Sequence, residues 1–388
     1  MKNILFVTYD FPYPTNSGGK NRAYNLIKST SSQSNIFLFS FVRDGFDQSY
    51  IEELKKIGVR KVFIYKRKKL KSPKTIISAT FSSGSVFKNL YYEKKAEDQM
   101  FDIIREEKID VVHFESSYTG FYISRKIKDL GAKQILGTEN IEYLLYEDYL
   151  KKIAKPYTKA FISFQIKRFK KEEEDMFCQA DVCAAVTEKE AEAIHKFSSK
   201  KPIILPNGID FSEFKSLQKR EWGGRLLFVG NFTYFPNVSA IKFFYEKVFG
   251  DLDNFSLTIV GKGSQRLSIN DPKVRVLEFV EDIKEEYNKA DVFVFPLTIG
   301  GGTNFKILEA MASGVPIVAN PGRLEGLKAE DGKHFLSAID SSDYKKQILK
   351  LKEDKNLRDN LVANARKLVE ENYSWDKIGR ALLEIWGN

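Results

Sequence analysis

The sequence predicts an α/β protein made of two doubly wound parallel-sheet domains. Three observations carry that prediction. Strand-like apolar runs alternate with helix-length segments in both halves of the chain. The runs are continuous rather than alternating, as in strands buried on both faces. The length of 388 residues suits two domains of ordinary size.

In the first half the strands are NILFVTY (3–9), SNIFLFSFV (34–42), KVFIY (61–65), IDVVHFE (109–115), AKQILGTE (132–139) and DVCAAVT (181–187). The second half repeats the scheme with GRLLFVGN (224–231), FSLTIVG (255–261), KVRVLEF (273–279), DVFVFP (291–296) and PIVAN (316–320). Each half therefore reads as a Rossmann-like domain, and two such sheets facing each other leave a cleft lined by loops from both. The seam is expected in KPIILPNGIDFSEF (201–214), where Pro206, Asn207 and Gly208 follow a short strand. The first domain is thus 1–204 and the second 205–373, with a helical tail broken near ENYSW (371–375).

Composition narrows the class. With 43% hydrophobic and 13% aromatic residues the chain can build full cores, and no low-complexity tract interrupts it. Cys178 and Cys183 lack a C-x-x-C spacing, and His113, His195 and His334 fall on different elements, so neither a disulfide framework nor a metal site is expected. The opening MKNILFVTYD is too short a run for a signal peptide, and no run approaches the ~18 apolar residues of a membrane helix. A cytoplasmic location is the expectation.

The net charge of +10 sits largely in two aromatic-bearing clusters, RKVFIYKRKKLKSPK (60–74) and KKIAKPYTKAFISFQIKRFKK (151–171). The second can be drawn as a helix with Ile153, Tyr157, Phe161, Phe164 and Ile166 on one side and lysines on the other. That pattern suits an anionic membrane surface, or a core-facing helix with a solvated basic back. No nucleic-acid recognition motif accompanies the charge.

Function is most legible in PLTIGGGTNFKILEAMASGVPIVAN (296–320), which reads as strand, glycine loop, helix and strand. Phe305, Leu308 and Met311 give the helical spacing, Thr303 or Asn304 is a candidate cap, and Gly314 is the stop. Glycines at a strand-to-helix turn let backbone N–H groups approach an anion, and the helix dipole assists. Lys306 and Glu309 share a helical face, which by itself could be a surface ion pair. The small, apolar residues after Glu309 argue instead for close packing on the sheet, where a ribose diol would satisfy the carboxylate and Lys306 would reach a diphosphate. A nucleotide fits all three features.

The counterpart in the first half is DFPYPTNSGGKNR (10–22), where Gly18 and Gly19 lead into a helix expected to begin near Lys20 or Asn21. Lys20 and Arg22 in its first turn oppose the helix dipole and suggest an anion nearby. The loop lacks the G-x-G-x-x-G order, so a redox dinucleotide is poorly supported.

Together these stretches resemble the retaining GT-B glycosyltransferases of the fourth sequence family, over nearly the whole length. The resemblance rests on Gly18–Gly19, LPNGID (205–210), FVGNFTYFPN (228–237), IVGKG (259–263), ADVFVFPL (290–297), the stretch 300–319 and NARKLVEENYSWDKI (364–378). It implies a last helix that crosses back to the first domain. It also implies that Glu309 is the second glutamate of the family's motif, the one that binds ribose. The first glutamate is replaced by Gly301, as in glycine-rich branches that carry a lysine at the place of Lys306. The basic pair that often follows Val-Gly is absent around Gly230, Asn231 and Asn237, so Lys306 takes over its charge, with Lys20 or Arg22 assisting. At GTENIEY (137–143), where relatives show His-Asn-x-Glu, Glu139 stands at the histidine's place beside Asn140. The acceptor-side residues implied are Glu139, Asn140 and Arg22; the alternative for Glu139 and Asn140 is a helix cap.

The resemblance implies transfer of a sugar from a nucleoside diphosphate, UDP- or GDP-linked, to an acceptor hydroxyl with retention, without a metal or resident cofactor. Glu139, Lys306 and Glu309 carry the chemistry. Gly18, Gly19, Gly230, Asn231, Asn237, Phe279, Val280, Gly302, Thr303, Asn304 and Phe305 complete the donor site. The acceptor is a glycan or lipid-linked glycan of surface polysaccharide synthesis, with peripheral association to an anionic inner membrane face. A nucleotide-sugar epimerase and a non-catalytic partner subunit are the rival readings.

Overall fold

The computed structural model describes residues 1–67, 84–152, 156–214, 221–298 and 304–387. These divide into two compact units, one of Met1–Pro206 with Trp375–Asn388 and one of Asn207–Ser374.

The first unit runs β1 (Asn3–Thr8), α1 (Gly18–Thr30), β2 (Asn35–Val42), α2 (Tyr50–Lys56), β3 (Val59–Lys66), α3 (Val86–Tyr91), α4 (Lys94–Glu106), β4 (Val111–Glu115), α5 (Ser117–Gly120), α6 (Arg125–Asp129), β5 (Lys133–Thr138), α7 (Glu142–Lys152), α8 (Pro156–Gln179), β6 (Val182–Ala185), α9 (Glu188–His195) and β7 (Ile203–Ile204). Its sheet has the order β3-β2-β1-β4-β5-β6-β7, and every pairing is parallel. The order reverses between β1 and β4, and ligands of open α/β sheets bind beyond the strand carboxyl ends at such a switch. Seven of the eight residues of β2, NIFLFSFV, are buried, as an inner strand covered on both faces requires.

The second unit runs β8 (Arg225–Val229), α10 (Phe235–Lys247), β9 (Ser256–Val260), β10 (Val274–Leu277), α11 (Ile283–Lys289), β11 (Val292–Phe295), α12 (Phe305–Ser313), β12 (Ile317–Ala319), β13 (Leu336–Ser337), α13 (Ser341–Glu353) and α14 (Lys355–Asn372). Its parallel sheet has the order β10-β9-β8-β11-β12-β13, with the switch between β8 and β11. Each unit has its own apolar core.

The final helix, α15 (Trp375–Trp386), belongs to the first unit. It lies so close to α1 that a Cβ on Gly379 would stand 2.6 Å from Ser29 Oγ. Lys2 and Lys133 donate to the carbonyls of Trp386 and Ile385 at 3.1 and 2.7 Å, placing cations at the negative end of this helix.

Two expectations are corrected here. The first helix starts at Gly18, so Gly18 and Gly19 form its first turn rather than a loop before it. The basic segment 151–171 is shared between α7, which ends at Lys152, and α8, which begins at Pro156 and turns Ile166 and Phe169 inward but not Phe161 and Phe164. In α8 the buried residues are Gln165, Ile166, Phe169, Glu173, Met176 and Phe177, while Phe161 and Phe164 are 40% and 52% exposed. Ile153 and residues 68–74 of the other basic cluster lie outside the described residues, and Tyr157 is described only in its backbone.

Candidate functional site

In the second unit the site forms where β8 and β11 part. Gly261, at φ +138°, sits so tightly that a Cβ would meet the Gly230 carbonyl oxygen at 1.8 Å, which fixes the turn after β8. That turn presents Asn231, whose carbonyl accepts from Asn237 Nδ2 at 2.8 Å. Asn237, buried on α10, offers its own Oδ1 to Lys306 Nζ at 3.4 Å. Helix α12 is closed by Gly314 in the left-handed conformation, as its sequence predicts, and buries Ile307, Leu308, Ala310, Met311 and Ala312. This packing holds Lys306 and Glu309 at the helix's solvent margin. Asn304 stands at its N-cap without a side-chain cap bond, and Phe305 opens the first turn. Gly302 and Thr303 lie outside the described residues.

Glu309 does not form a surface ion pair. Its Oε2 accepts from the buried Tyr287 hydroxyl at 3.0 Å, and the same hydroxyl lies 3.2 Å from the Lys306 carbonyl oxygen. Burial pushes the Glu309 carboxyl up to about 7 against the Tyr287 hydrogen bond and the charge of Lys306. Burial likewise pulls Lys306 down to about 8, with Glu309 acting the other way. Such a mutually tuned pair marks a functional site more often than a structural one. Phe279 is 80% exposed beyond β10, with Val280 half-buried beside it. A cavity of about 540 Å³ at the opposite, amino end of β8, β9 and β10, lined by Arg225, Ser256 and Arg275, lies apart from these residues.

In the first unit the switch between β1 and β4 holds a polar cluster. Arg22 faces inward from α1: its Nε donates to Glu115 Oε1 at 2.6 Å and its Nη1 to the Pro206 carbonyl at 3.0 Å. The anion expected near this arginine is thus supplied by the protein itself. Lys20 pairs with Asp10 at 3.7 Å. His113 Nε2 meets Glu115 Oε2 at 2.8 Å, and a Cβ on Gly137 of β5 would stand 2.5 Å from that oxygen, so the glycine makes the space. Burial alone would raise the Glu115 carboxyl, but Arg22 and His113 prevail and hold it at about 2.

Glu139 follows β5 and presses its carboxylate on α1. A Cβ on Gly19 would lie 2.6 and 2.7 Å from its two oxygens. Burial, then the charge of Glu115, push this carboxyl up to about 7, with Arg22 opposing. Its Oε1 is buried and has no hydrogen-bond partner among the described residues. The capping alternative is overturned: the first N–H groups of α7, from Glu142 and Tyr143, donate to the Glu173 carboxylate at 3.1 and 3.0 Å. Asn140 is half-buried beside Glu139.

Sequence reasoning missed Tyr287, His113, Glu115 and Glu173 as members of these clusters. Glu115 alone left a signal, a charged residue ending an otherwise apolar strand.

Two parallel sheets with this strand order, one per unit, define the GT-B class of glycosyltransferases. Across the whole chain the fold is similar to HepE of Anabaena in complex with UDP, at a TM-score of 0.69, 13% identity and 100% coverage of both chains. It is also similar to sucrose-phosphate synthase from Thermosynechococcus elongatus, at a TM-score of 0.70 and 13% identity, covering 100% of this chain and 98% of the other. Residues 223–354 match the family of glycosyl transferases group 1. Over these residues the chain is similar to that family and, with it, to relatives named glycosyltransferases; the protein is a glycosyltransferase.

Among relatives by sequence, an uncharacterised 44.6 kDa protein in the cps region of Klebsiella pneumoniae is 23% identical over 97% of this chain and 98% of its own length. The phosphatidyl-myo-inositol mannosyltransferase of Propionibacterium freudenreichii is 27% identical over 54% of this chain, which spans 57% of that enzyme. The capsular polysaccharide biosynthesis glycosyltransferase CapM of Staphylococcus aureus is 24% identical over 52% of this chain, which spans 61% of it. Among the described residues no helix is long and apolar enough to cross a membrane, and no three His, Cys, Asp or Glu side chains group as metal ligands.

Proposed function

We propose that the protein transfers a sugar from a nucleoside diphosphate, with UDP the first candidate, to an acceptor hydroxyl with retention at the anomeric carbon. The observation that carries this reading is the set Asn237, Lys306 and Glu309, brought together from two helices at the β8/β11 switch with Tyr287 beneath. Glu309 receives the ribose hydroxyls. Lys306 gives its charge to the diphosphate. UDP leads the candidates because the similar fold of HepE is known with UDP and with UDP-glucose.

In the transfer the bond between the anomeric carbon and the diphosphate oxygen breaks, and the acceptor oxygen bonds to that carbon on the same face. The acceptor proton passes to the departing diphosphate. Lys306 stabilises the negative charge that develops, a role preorganised groups fill best. Glu139, poised near neutrality, orients the acceptor hydroxyl as a hydrogen-bond acceptor. No metal is required for these steps.

The acceptor belongs to surface polysaccharide synthesis. Support comes from the Klebsiella pneumoniae relative in a cps region and from CapM. Exposed Phe161 and Phe164, beside Lys159, Lys167 and Arg168 on α8, favour peripheral contact with an anionic membrane at the cytoplasmic face.

Calorimetry with UDP, GDP, ADP and CMP against the wild type and Glu309→Ala tests the donor assignment. Selective binding of one nucleotide, lost in the variant, is the expected result; equal binding by both proteins removes the ribose role.

A further inference from the structure

At the carboxyl ends of β2 and β3 stands an arginine that no part of the reading above uses. Arg67 follows β3 directly, and its backbone N–H donates to the Val42 carbonyl at 3.1 Å. The side chain is 7% exposed, yet Nε, Nη1 and Nη2 are all buried without a hydrogen-bond partner among the described residues. A buried guanidinium without such partners is costly, because its donors have lost water.

The neighbouring groups explain why it is not paired. Its guanidinium lies 5.6 Å from the centre of the Tyr91 ring, which stacks on Tyr118 at 4.4 Å, so an aromatic wall occupies one side. The nearby carboxyls are engaged elsewhere: Asp10 with Lys20 at 3.7 Å, Asp44 with Lys66 at 2.5 Å, and Glu142 with the Tyr118 hydroxyl at 2.8 Å. Arg43, at the end of β2, is exposed and makes no ion pair among the described residues. It lines a cavity of about 280 Å³, next to Arg67 rather than around it, together with Phe11, Tyr13, Lys20 and three carboxylates that are already engaged: Asp10 with Lys20, Asp44 with Lys66, and Asp47 with the Ser49 N–H. Burial, and then the charge of Arg43, lower the pKa of Arg67, with Tyr91, Asp10 and Tyr9 acting the other way. Aromatic faces beside hydrogen-bonding groups suit a sugar ring, and paired guanidinium groups suit a planar or tetrahedral oxyanion.

We propose that Arg67 and Arg43 form an oxyanion subsite of the first unit, which holds a phosphate or carboxylate group carried by the glycosyl acceptor. The identity of the occupant as the acceptor rests on the transfer reading; the oxyanion site itself does not. The shared chemistry has two sources, a phosphate linking the glycan to its carrier or the carboxylate of an acidic sugar.

The test is calorimetry on the full chain carrying Lys306→Ala, which silences the second unit's cation, at constant ionic strength set by chloride. The probes are inorganic diphosphate, methyl glucuronide and the neutral methyl glucoside. One anion is expected to bind at least about tenfold more tightly than the glucoside, and Arg67→Gln to remove that advantage. Diphosphate as the winner assigns a phosphate-bearing acceptor, and glucuronide an acidic glycan. Arg67→Met is expected to raise the unfolding midpoint of the unliganded protein, since it removes a buried charge without breaking a pair, and to abolish anion binding as well. Anion binding equal to that of the glucoside, or retained in both Arg67 variants, overturns the proposal. UDP binding, measured with Lys306 intact, is expected to be the same in Arg67→Gln and the wild type. Its absence from both would sink the donor assignment while leaving the anion result standing.

Discussion

The indole Nε1 of Trp386 donates to Nδ1 of His113 at 3.3 Å, joining residues 273 apart in sequence. Because Nδ1 accepts, the proton of a neutral imidazole sits on Nε2, where it is given to Glu115. The ring stacks on Phe6 with centroids 4.6 Å apart, so its orientation is held from both sides. Trp386→Phe is expected to cost about 1–3 kcal/mol in denaturant unfolding, from a lost hydrogen bond and a small cavity. Nitrogen NMR of His113 should show the Nε2–H tautomer in the wild type and a mixture in the variant.

Arg22 and Glu115 form a buried pair, and removing one partner leaves the other charge without compensation. Arg22→Met should destabilise the protein by about 3–5 kcal/mol at neutral pH. The folded value of Glu115, about 2, lies below its ordinary value of 4.5, so the pair's contribution is present above 4.5 and lost as pH falls through 2. In the variant Glu115 can take a proton more easily, so the deficit should shrink in mild acid. Urea unfolding of both proteins at the two pH values checks the sign.

Gly19→Ala places a methyl group where the Glu139 carboxylate now lies, 2.6 Å from its nearest oxygen. The carboxylate is the end of a flexible side chain, so it should move rather than the helix. Turnover should fall by about tenfold or more with nucleotide affinity unchanged. Adding Glu139→Asp, which shortens the side chain, should restore part of the loss. A kcat against Kd comparison across the three proteins reads the split.

Lys306 and Glu309 set a pH window. Glu309 has a folded value of about 7, raised from 4.5, so its contribution to stability is present below 4.5 and lost as pH rises through 7. Lys306 has a folded value of about 8, lowered from 10.5, so the cost of burying its charge persists below 8 and is relieved towards 10.5. The unliganded second unit should therefore be least stable between about 7 and about 8, where both groups are charged. Nucleotide affinity should peak in the same window, since ribose and diphosphate meet those charged forms. Parallel unfolding and calorimetric titrations across pH test the coincidence.

Tyr287 supplies the hydrogen bond that opposes the rise at Glu309. Tyr287→Phe should push the carboxyl further up and move the acid limb of nucleotide binding to higher pH, at a cost of about 1 kcal/mol in stability. An unmoved acid limb would show that Glu309 is not the group being read.

Much of this was legible in the chain itself. Continuous apolar runs such as NIFLFSFV predict inner parallel strands, and the spacing Phe305, Leu308, Met311 with Gly314 predicts α12, because burial on both faces and helical periodicity leave direct marks on sequence. The order of motifs carried the family, and Lys306 and Glu309 announced themselves by standing in small, apolar surroundings. The two-residue β13 left too short a run to be seen.

Partnership is written in the fold alone. Arg22 reads as a cation waiting for a ligand until the sheet order brings Glu115 beneath it; Glu139 reads equally as a cap until Glu173 is found doing that work from α8. Arg67 is one basic residue among many until its three nitrogens prove buried and without a hydrogen-bond partner among the described residues. Periodicity is a local property, so which segments are buried can be read along the chain. Charges are settled by neighbours distant in the chain, and only folding chooses those neighbours.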